Sequence, residues 1–245
     1  MPLSPSLQWT SASLSDVGVV RRINEDACLE LPRTGVWLVA DGMGGHDGGD
    51  FASATVVEAV STLKPAERLS VLVDQLCDRL RHANRVLREE SGRRGKGLMG
   101  STVAALILHG RHAVCVWVGD SRVYRLRNGV LRQLTRDHRW VQEYVDLGLM
   151  TQEMADRHPH AHEITRAVGA EDDLEPSIEM GDLVASDKFL LCSDGLYGEV
   201  SEGDITQLLA QDDLVQACRD MVELAKQNGA HDNVTVVAVQ ASAAK

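Results

Sequence analysis

Apolar positions recur along this chain in two rhythms, and the switches between them mark out its elements. Residues 8–13, 27–31 and 36–40 are short β-forming runs bounded by turn residues, and each reads as a strand. Two stretches of helical period follow. The first covers 51–63; in the second, Leu69, Val73, Leu76, Leu80, Ala83 and Leu87 fall three or four apart, so one face is apolar. Such stripes are expected to be buried in a core. Extended apolar runs return at 101–108 and 113–118, and the runs 123–126 and 130–134 flank Asn128-Gly129, a hairpin signal. A stretch rich in histidine and polar residues comes next, with helical candidates at 140–147 and 151–157, and reads as a mobile flap. A strand at 189–192, helices at 201–210 and 214–228, and a final strand at 234–239 complete the pattern.

Strands cluster, helices come in pairs, and hairpins outnumber strand–helix–strand units. Layer rules then favour antiparallel sheets packed on one another with helices outside. The chain has 245 residues and no repeat, low-complexity tract or Pro/Gly/Ser linker, so one domain over 1–245 is expected.

Composition narrows the function classes. The apolar share is 44%, and no segment approaches the run of about 18 apolar residues that a membrane span needs. Residues 1–13 lack the charged and apolar regions of a signal peptide, so a soluble, cytoplasmic protein is expected. The 5 cysteines have no close-spaced pairs, which speaks against disulfides and zinc; Cys115 and Cys192 sit in apolar runs as expected buried thiols. A net charge of −11 argues against nucleic acid or anionic membrane as partners. It suits a site rich in carboxylates that divalent cations neutralise.

Carboxylates recur where apolar strands end: Asp41 after VWLVA, Asp120 after CVWVG, and Asp194 after FLLCS. One such Asp is a common turn former. Three, joined by Asn24-Glu25-Asp26 and Asp232-Asn233 beside other strands, suggest a shared edge where mutual repulsion requires divalent metals. Oxygen ligands without His or Cys at ligand spacing select Mg²⁺ or Mn²⁺. Two such ions would acidify a bridging water and hold a phosphoryl oxygen. Gly42, Gly44 and Gly45 permit tight backbone beside Asp41. The run is no dinucleotide fingerprint, because Asp47 stands where the last glycine is needed, and Arg93-Arg94-Gly95-Lys96-Gly97 is no P-loop. No cysteine is followed six residues later by arginine, so a cysteine-nucleophile phosphatase is excluded.

In order, Arg21-Arg22-Ile23-Asn24-Glu25-Asp26, Asp41-Gly42-Met43-Gly44-Gly45-His46, Gly100-Ser101-Thr102, Gly119-Asp120-Ser121-Arg122, Ser193-Asp194-Gly195 and Asp232-Asn233-Val234-Thr235 resemble the metal-dependent type 2C (PPM) protein phosphatases. The resemblance spans residues 13–239, the core of the expected catalytic domain. It implies an α+β fold, a four-layer αββα sandwich of two antiparallel β-sheets flanked by helix pairs. It also implies two tightly bound Mg²⁺ or Mn²⁺ ions whose bridging hydroxide hydrolyses phosphoserine and phosphothreonine. Asp41 would bridge the ions, Asp194 and Asp232 would complete one, and Glu25 with the Gly42 carbonyl the other. Asp26 would accept from bound water, Asn233 would support the cluster, and Arg21, with Arg22 as rival, would bind phosphate. Asp120 with Asp194 matches a third, weaker metal position.

Met43 replaces the histidine that animal relatives carry as proposed general acid, leaving water on the third metal, or His46, as candidate proton donors. His138 is expected to support the flap. The motif variant resembles the bacterial branch and, within it, the type VI secretion-associated subgroup. Implied partners are phosphoproteins made by eukaryotic-like serine/threonine kinases, met by a monomer. A catalytically silent phosphoprotein-binding module of the same fold is the alternative, and a hydrolase of small phosphate esters a third reading.

Overall fold

Strands buried on both faces lack polar alternation, and this chain has several. In Val36–Met43, residues Val36, Leu38 and Ala40 enter one apolar core, while Trp37 and Val39 enter another. The computed structural model describes residues 7–44, 48–95 and 97–243. Their order is β1 (Leu7–Asp16), β2 (Asp26–Leu31), β3 (Val36–Met43), α1 (Gly49–Ser61), α2 (Leu69–Arg94), β4 (Gly100–Ser101), β5 (Val103–His109) and β6 (His112–Val118). Then come β7 (Arg122–Arg127), β8 (Val130–Gln133), α3 (Trp140–Asp146), α4 (Gln152–Asp156) and β9 (Ser177–Asp182). The chain closes with β10 (Lys188–Cys192), α5 (Asp194–Tyr197), α6 (Glu202–Leu209), α7 (Leu214–Gln227) and β11 (Val234–Ala243).

Two antiparallel sheets result. One runs β1-β11-β10-β7-β8 and the other β2-β3-β5-β6-β9, with β4 paired to β3. Three cores make four layers. Trp37, Leu106, Phe189 and Val237 pack between the sheets. Val56, Leu76 and Leu80 of α1 and α2 cover one outer face, and Ile205, Met221 and Val222 of α6 and α7 the other. Of the expected α2 stripe, Leu76, Leu80, Ala83 and Leu87 are buried while Leu69 and Val73 are only partly so; Leu72, Cys77 and Asn84, which lie beside the stripe, are buried as well. Asn128 and Gly129 both take positive φ, 52° and 76°, as a two-residue hairpin requires.

Three sequence expectations are corrected. β9 was not foreseen: its Ser-Ile-Glu-Met-Gly-Asp sequence is an edge strand, exposed at five consecutive positions, so no apolar run announces it. β3 does not stop at Ala40 but carries Asp41 and Gly42 within the strand, where pairing with Asp26 and Ser101 holds them. α2 continues to Arg94, seven residues past its last apolar stripe position, Leu87. Glu90 there binds Arg93 and Arg94 at 2.6 Å, which stabilises the polar final turns. Among the described residues, no helix is long and apolar enough to cross a membrane.

Candidate metal centre

The antiparallel register of β2 and β3 sets Asp26 directly opposite Asp41. Glu25 immediately precedes β2, Asp120 follows β6, Asp194 opens α5 after β10, and Asp232 stands just before β11. These ends meet at one end of the sandwich. Arg21, Glu25, Asp41, Gly42, Asp120, Asp194 and Asp232 border a single cleft of about 310 Å³. Met43, Thr102, His162 and Ile164 also line it.

Two sequence candidates lie behind the wall. Asp26 is buried and accepts from Ser193 Oγ at 2.7 Å, while that Oγ accepts from the Thr235 amide at 3.0 Å, tying the two sheets together. Asn233 accepts from the Glu25 amide at 2.8 Å and donates to the Val17 and Ile23 carbonyls at 3.0 Å. It therefore fixes the Glu25 loop against the start of β11. Gly42 permits the same closeness: a Cβ there would stand 1.9 Å from the Gly49 carbonyl oxygen and 2.7 Å from that of Glu25. Thr102 fixes Asp41, taking its amide proton on Oγ1 at 3.2 Å and donating its own amide to the Asp41 carbonyl at 2.8 Å.

Burial raises the Asp41 carboxyl well above the usual range, and Asp26, Asp194, Asp120 and Asp232 raise it further by repulsion. Asp194 is pushed up to about 7, by burial first and then by Asp120 and Asp232. Asp26 is pushed up to about 6 by burial, against the hydroxyls of Ser193 and Thr235. Glu25 is raised chiefly by burial, opposed by the Gly49 N–H. Carboxylates so crowded ionise fully only beside compensating cations, and an all-oxygen donor set suits Mg²⁺ or Mn²⁺. As the side chains stand, no three carboxylates or imidazoles among the described residues converge on one point. Guanidinium groups hold two of them: Arg21 meets Asp232 at 2.6 Å, and Arg139 meets Asp120 at 2.8 Å.

Other candidates sort by position. Arg22 is exposed and does not border the cleft. His138 is structural, as expected: its Nδ1 accepts from the Gly119 amide at 3.0 Å, Nε2 meets Ser177 Oγ at 3.0 Å, and its ring stacks on Trp117. Burial lowers its pKa to about 4. Cys115 and Cys192 are buried, with the Cys115 thiol pushed up to about 12 by burial. His46 and Gly45 lie outside the described residues.

Sequence reading missed His162, Arg139 and Tyr197. The only signal for His162 was the histidine-rich flap, and which histidine faces the cleft depends on how that flap folds. His158 and His160 instead pack on Trp140, at 5.3 and 5.5 Å between ring centres. His162 and Asp194 also border a second depression of about 700 Å³, walled by Arg122, Arg139, Gln133 and Gln142.

Residues 20–237 match the family model described as Protein phosphatase 2C. The chain belongs to that family. It is 38% identical over 230 residues to the serine/threonine protein phosphatase PstP of Mycobacterium tuberculosis, covering 92% of this chain but 44% of that one. The chain thus spans less than half the length of this curated relative. Among solved structures, it is similar to PppA, a key regulatory component of T6SS in Pseudomonas aeruginosa. The two share 42% identity and a TM-score of 0.91, over 97% of this chain and 100% of PppA. The catalytic domain of serine threonine protein phosphatase PstP, in complex with 2 manganese ions, matches with a TM-score of 0.87 and 35% identity. That match covers 97% of this chain and 100% of the PstP chain.

Proposed function

We propose that this chain is a protein serine/threonine phosphatase that hydrolyses phosphoserine and phosphothreonine monoesters at a binuclear Mg²⁺ or Mn²⁺ centre. One observation carries the reading: in a chain of this family, the carboxylates of Asp41 and Asp194 share a cleft whose charge demands cations, with Arg21 on its wall. Asp41 would be common to both ions, Glu25 and the Gly42 carbonyl would serve one, and Asp194 with Asp232 the other. When bound, the ions supply an acidified water and positive charge facing the phosphoryl oxygens.

The chain's own residues do the rest. Arg21 presents a fork that matches two phosphoryl oxygens, and its present acceptor, Asp232, is the carboxylate a cation would claim. With Asp232 holding a cation, the Arg21 guanidinium would be free to face phosphate. Asp26, held by Ser193 and opposite Asp41, is the acceptor for a proton of the attacking water. Met43 borders the cleft but has no proton to give, whereas His162 borders it with an imidazole, the one imidazole among the described lining residues. His162 protonates the departing serine or threonine oxygen.

The substrates would be phosphoproteins made by eukaryotic-like serine/threonine kinases, and the likeness to PppA points toward control of type VI secretion. Action in the cytoplasm agrees with five unpaired cysteines. A phosphothreonine peptide assay tests the whole reading. Activity should vanish in EDTA and return with Mn²⁺. A folded, Mn²⁺-loaded protein without turnover would instead indicate the silent phosphoprotein-binding module.

A further inference from the structure

Asp120, the carboxylate matched to a third metal position, is already neutralised from within the chain. It is buried, 4% exposed, and Arg139, 9% exposed, donates to its Oδ2 from Nε at 2.8 Å. Arg139 also donates from Nη2 to Tyr197 Oη at 2.5 Å, and Tyr197 Oη donates to the Asp120 carbonyl at 2.9 Å. Next to this group, Arg122 holds Asp137 through Nε at 3.0 Å and Nη2 at 2.7 Å, and its guanidinium lies 3.7 Å from the Tyr197 ring centre. Buried Arg139 and partly buried Arg122 therefore balance the two buried aspartates, Asp120 and Asp137, without any ion.

A divalent cation on Asp120 would need the guanidinium to leave, and the backbone gives it little freedom. Arg139 is bridged to Ile164, the Trp140 amide donates to the Glu163 carbonyl at 2.9 Å, and the Thr165 amide donates to the His138 carbonyl at 2.8 Å. These bonds close the base of the flap that carries α3, α4 and His162. Separating a buried ion pair leaves an uncompensated charge, which is strongly unfavourable. The residues at this third position thus do not suit a metal as they stand, unlike the crowded carboxylates Asp41 and Asp194.

Resting on the cation-dependent reading above, we propose that Arg139 takes the place of a third divalent cation at Asp120, so that the chain binds two cations and fastens its flap to the carboxylate wall with an internal ion pair. Arg139 is a positioning residue. It does not border the cleft of Arg21 and Asp41, but it fixes Asp120, Tyr197 and the flap base relative to one another.

The test counts Mn²⁺ by calorimetry and by electron paramagnetic resonance on the full chain. The unmodified protein should bind two ions. Arg139→Gln, which removes the charge but keeps a hydrogen-bonding group, should gain a third, weaker site that disappears in the Arg139→Gln/Asp120→Asn double variant. Arg139→Lys, which keeps the charge, should still bind two and guards against a misfolded glutamine variant. Three ions on the unmodified protein, or no gain in a folded Arg139→Gln, would overturn the proposal. In EDTA, proteolysis within residues 140–164 should be at least tenfold faster in Arg139→Gln, and equal rates would refute the fastening role. That second measurement needs no metal, so its outcome stands apart from any failure of the phosphatase reading.

Discussion

Arg21 Nη2 donates to Asp232 Oδ2 at 2.6 Å, joining residues 211 positions apart in sequence at the cleft. Both side chains are about half exposed, 50% and 41%, so the pair adds little to stability and yields readily to competing ligands. Arg21→Ala should therefore leave the melting temperature nearly unchanged and Mn²⁺ affinity at least as tight. A charged hydrogen bond to phosphate is worth about 1.5–3 kcal/mol, so kcat/KM on a phosphopeptide should fall roughly ten- to a hundredfold, mainly through KM. Arg22→Ala, away from the cleft, should have little effect. The reverse ranking of these two variants in steady-state kinetics would show that the wrong arginine has been chosen.

Asp41→Asn and Asp194→Asn should abolish Mn²⁺ binding and turnover, because an amide offers oxygen without charge. Their metal-free stability should move the other way. Each replaced carboxyl resists ionisation in the fold through burial and like charges, so an isosteric neutral group relieves that strain. Melting curves in EDTA at pH 8 should show both variants above the parent, by about 1 kcal/mol or more, since one pKa unit is about 1.4 kcal/mol. Variants that melt lower in EDTA would mean that these carboxylates serve as hydrogen-bonding props.

The same groups set a pH dependence with a definite sign. An aspartate free in the unfolded chain titrates near about 4. In the metal-free fold, Asp26 is raised to about 6 and Asp194 to about 7. The folded state therefore binds more protons across that window. The stabilising contribution is complete below pH of about 4 and is lost as pH climbs through 6 and 7. In Mn²⁺ the trend reverses, because the ligands must lose their protons to bind the ion. The check is the EDTA melting profile of the parent against Asp194→Asn: the gap should widen between pH 4.5 and 8, and parallel profiles would contradict the shift.

Much of this was legible in the sequence because burial writes itself as apolar runs. β3, β5, β6, β10 and β11 all lie in such runs, and the carboxylates at their ends converge because the sheets stack. What stayed hidden depends on contacts between remote segments. Nothing local in Arg139 says that it will meet Asp120, since the flap must first close through the Arg139–Ile164 bridge. β9 was unreadable because an exposed edge strand needs no apolar face. His162 was one of several flap histidines until Trp140 claimed His158 and His160.

The last expectation concerns His162 and the leaving group. Expelled serine or threonine oxygen is a strongly basic alkoxide that needs a proton as the P–O bond breaks, whereas p-nitrophenolate is a stable anion that hardly does. General-acid help is worth roughly 10²–10⁴-fold where it is needed. His162 is exposed and borders the cleft, as Met43 does. His162→Gln should therefore keep its melting temperature and its Mn²⁺ stoichiometry. Its kcat on a phosphothreonine peptide should fall by at least about a hundredfold while p-nitrophenyl phosphate turnover changes only a few-fold. A small, more acidic phenyl leaving-group series would extend the comparison: the plot of log kcat against leaving-group pKa should steepen in the variant, because the enzyme no longer cancels the developing charge. If both substrates lose activity equally and the slope is unchanged, His162 merely shapes the cleft, and the proton must come from elsewhere.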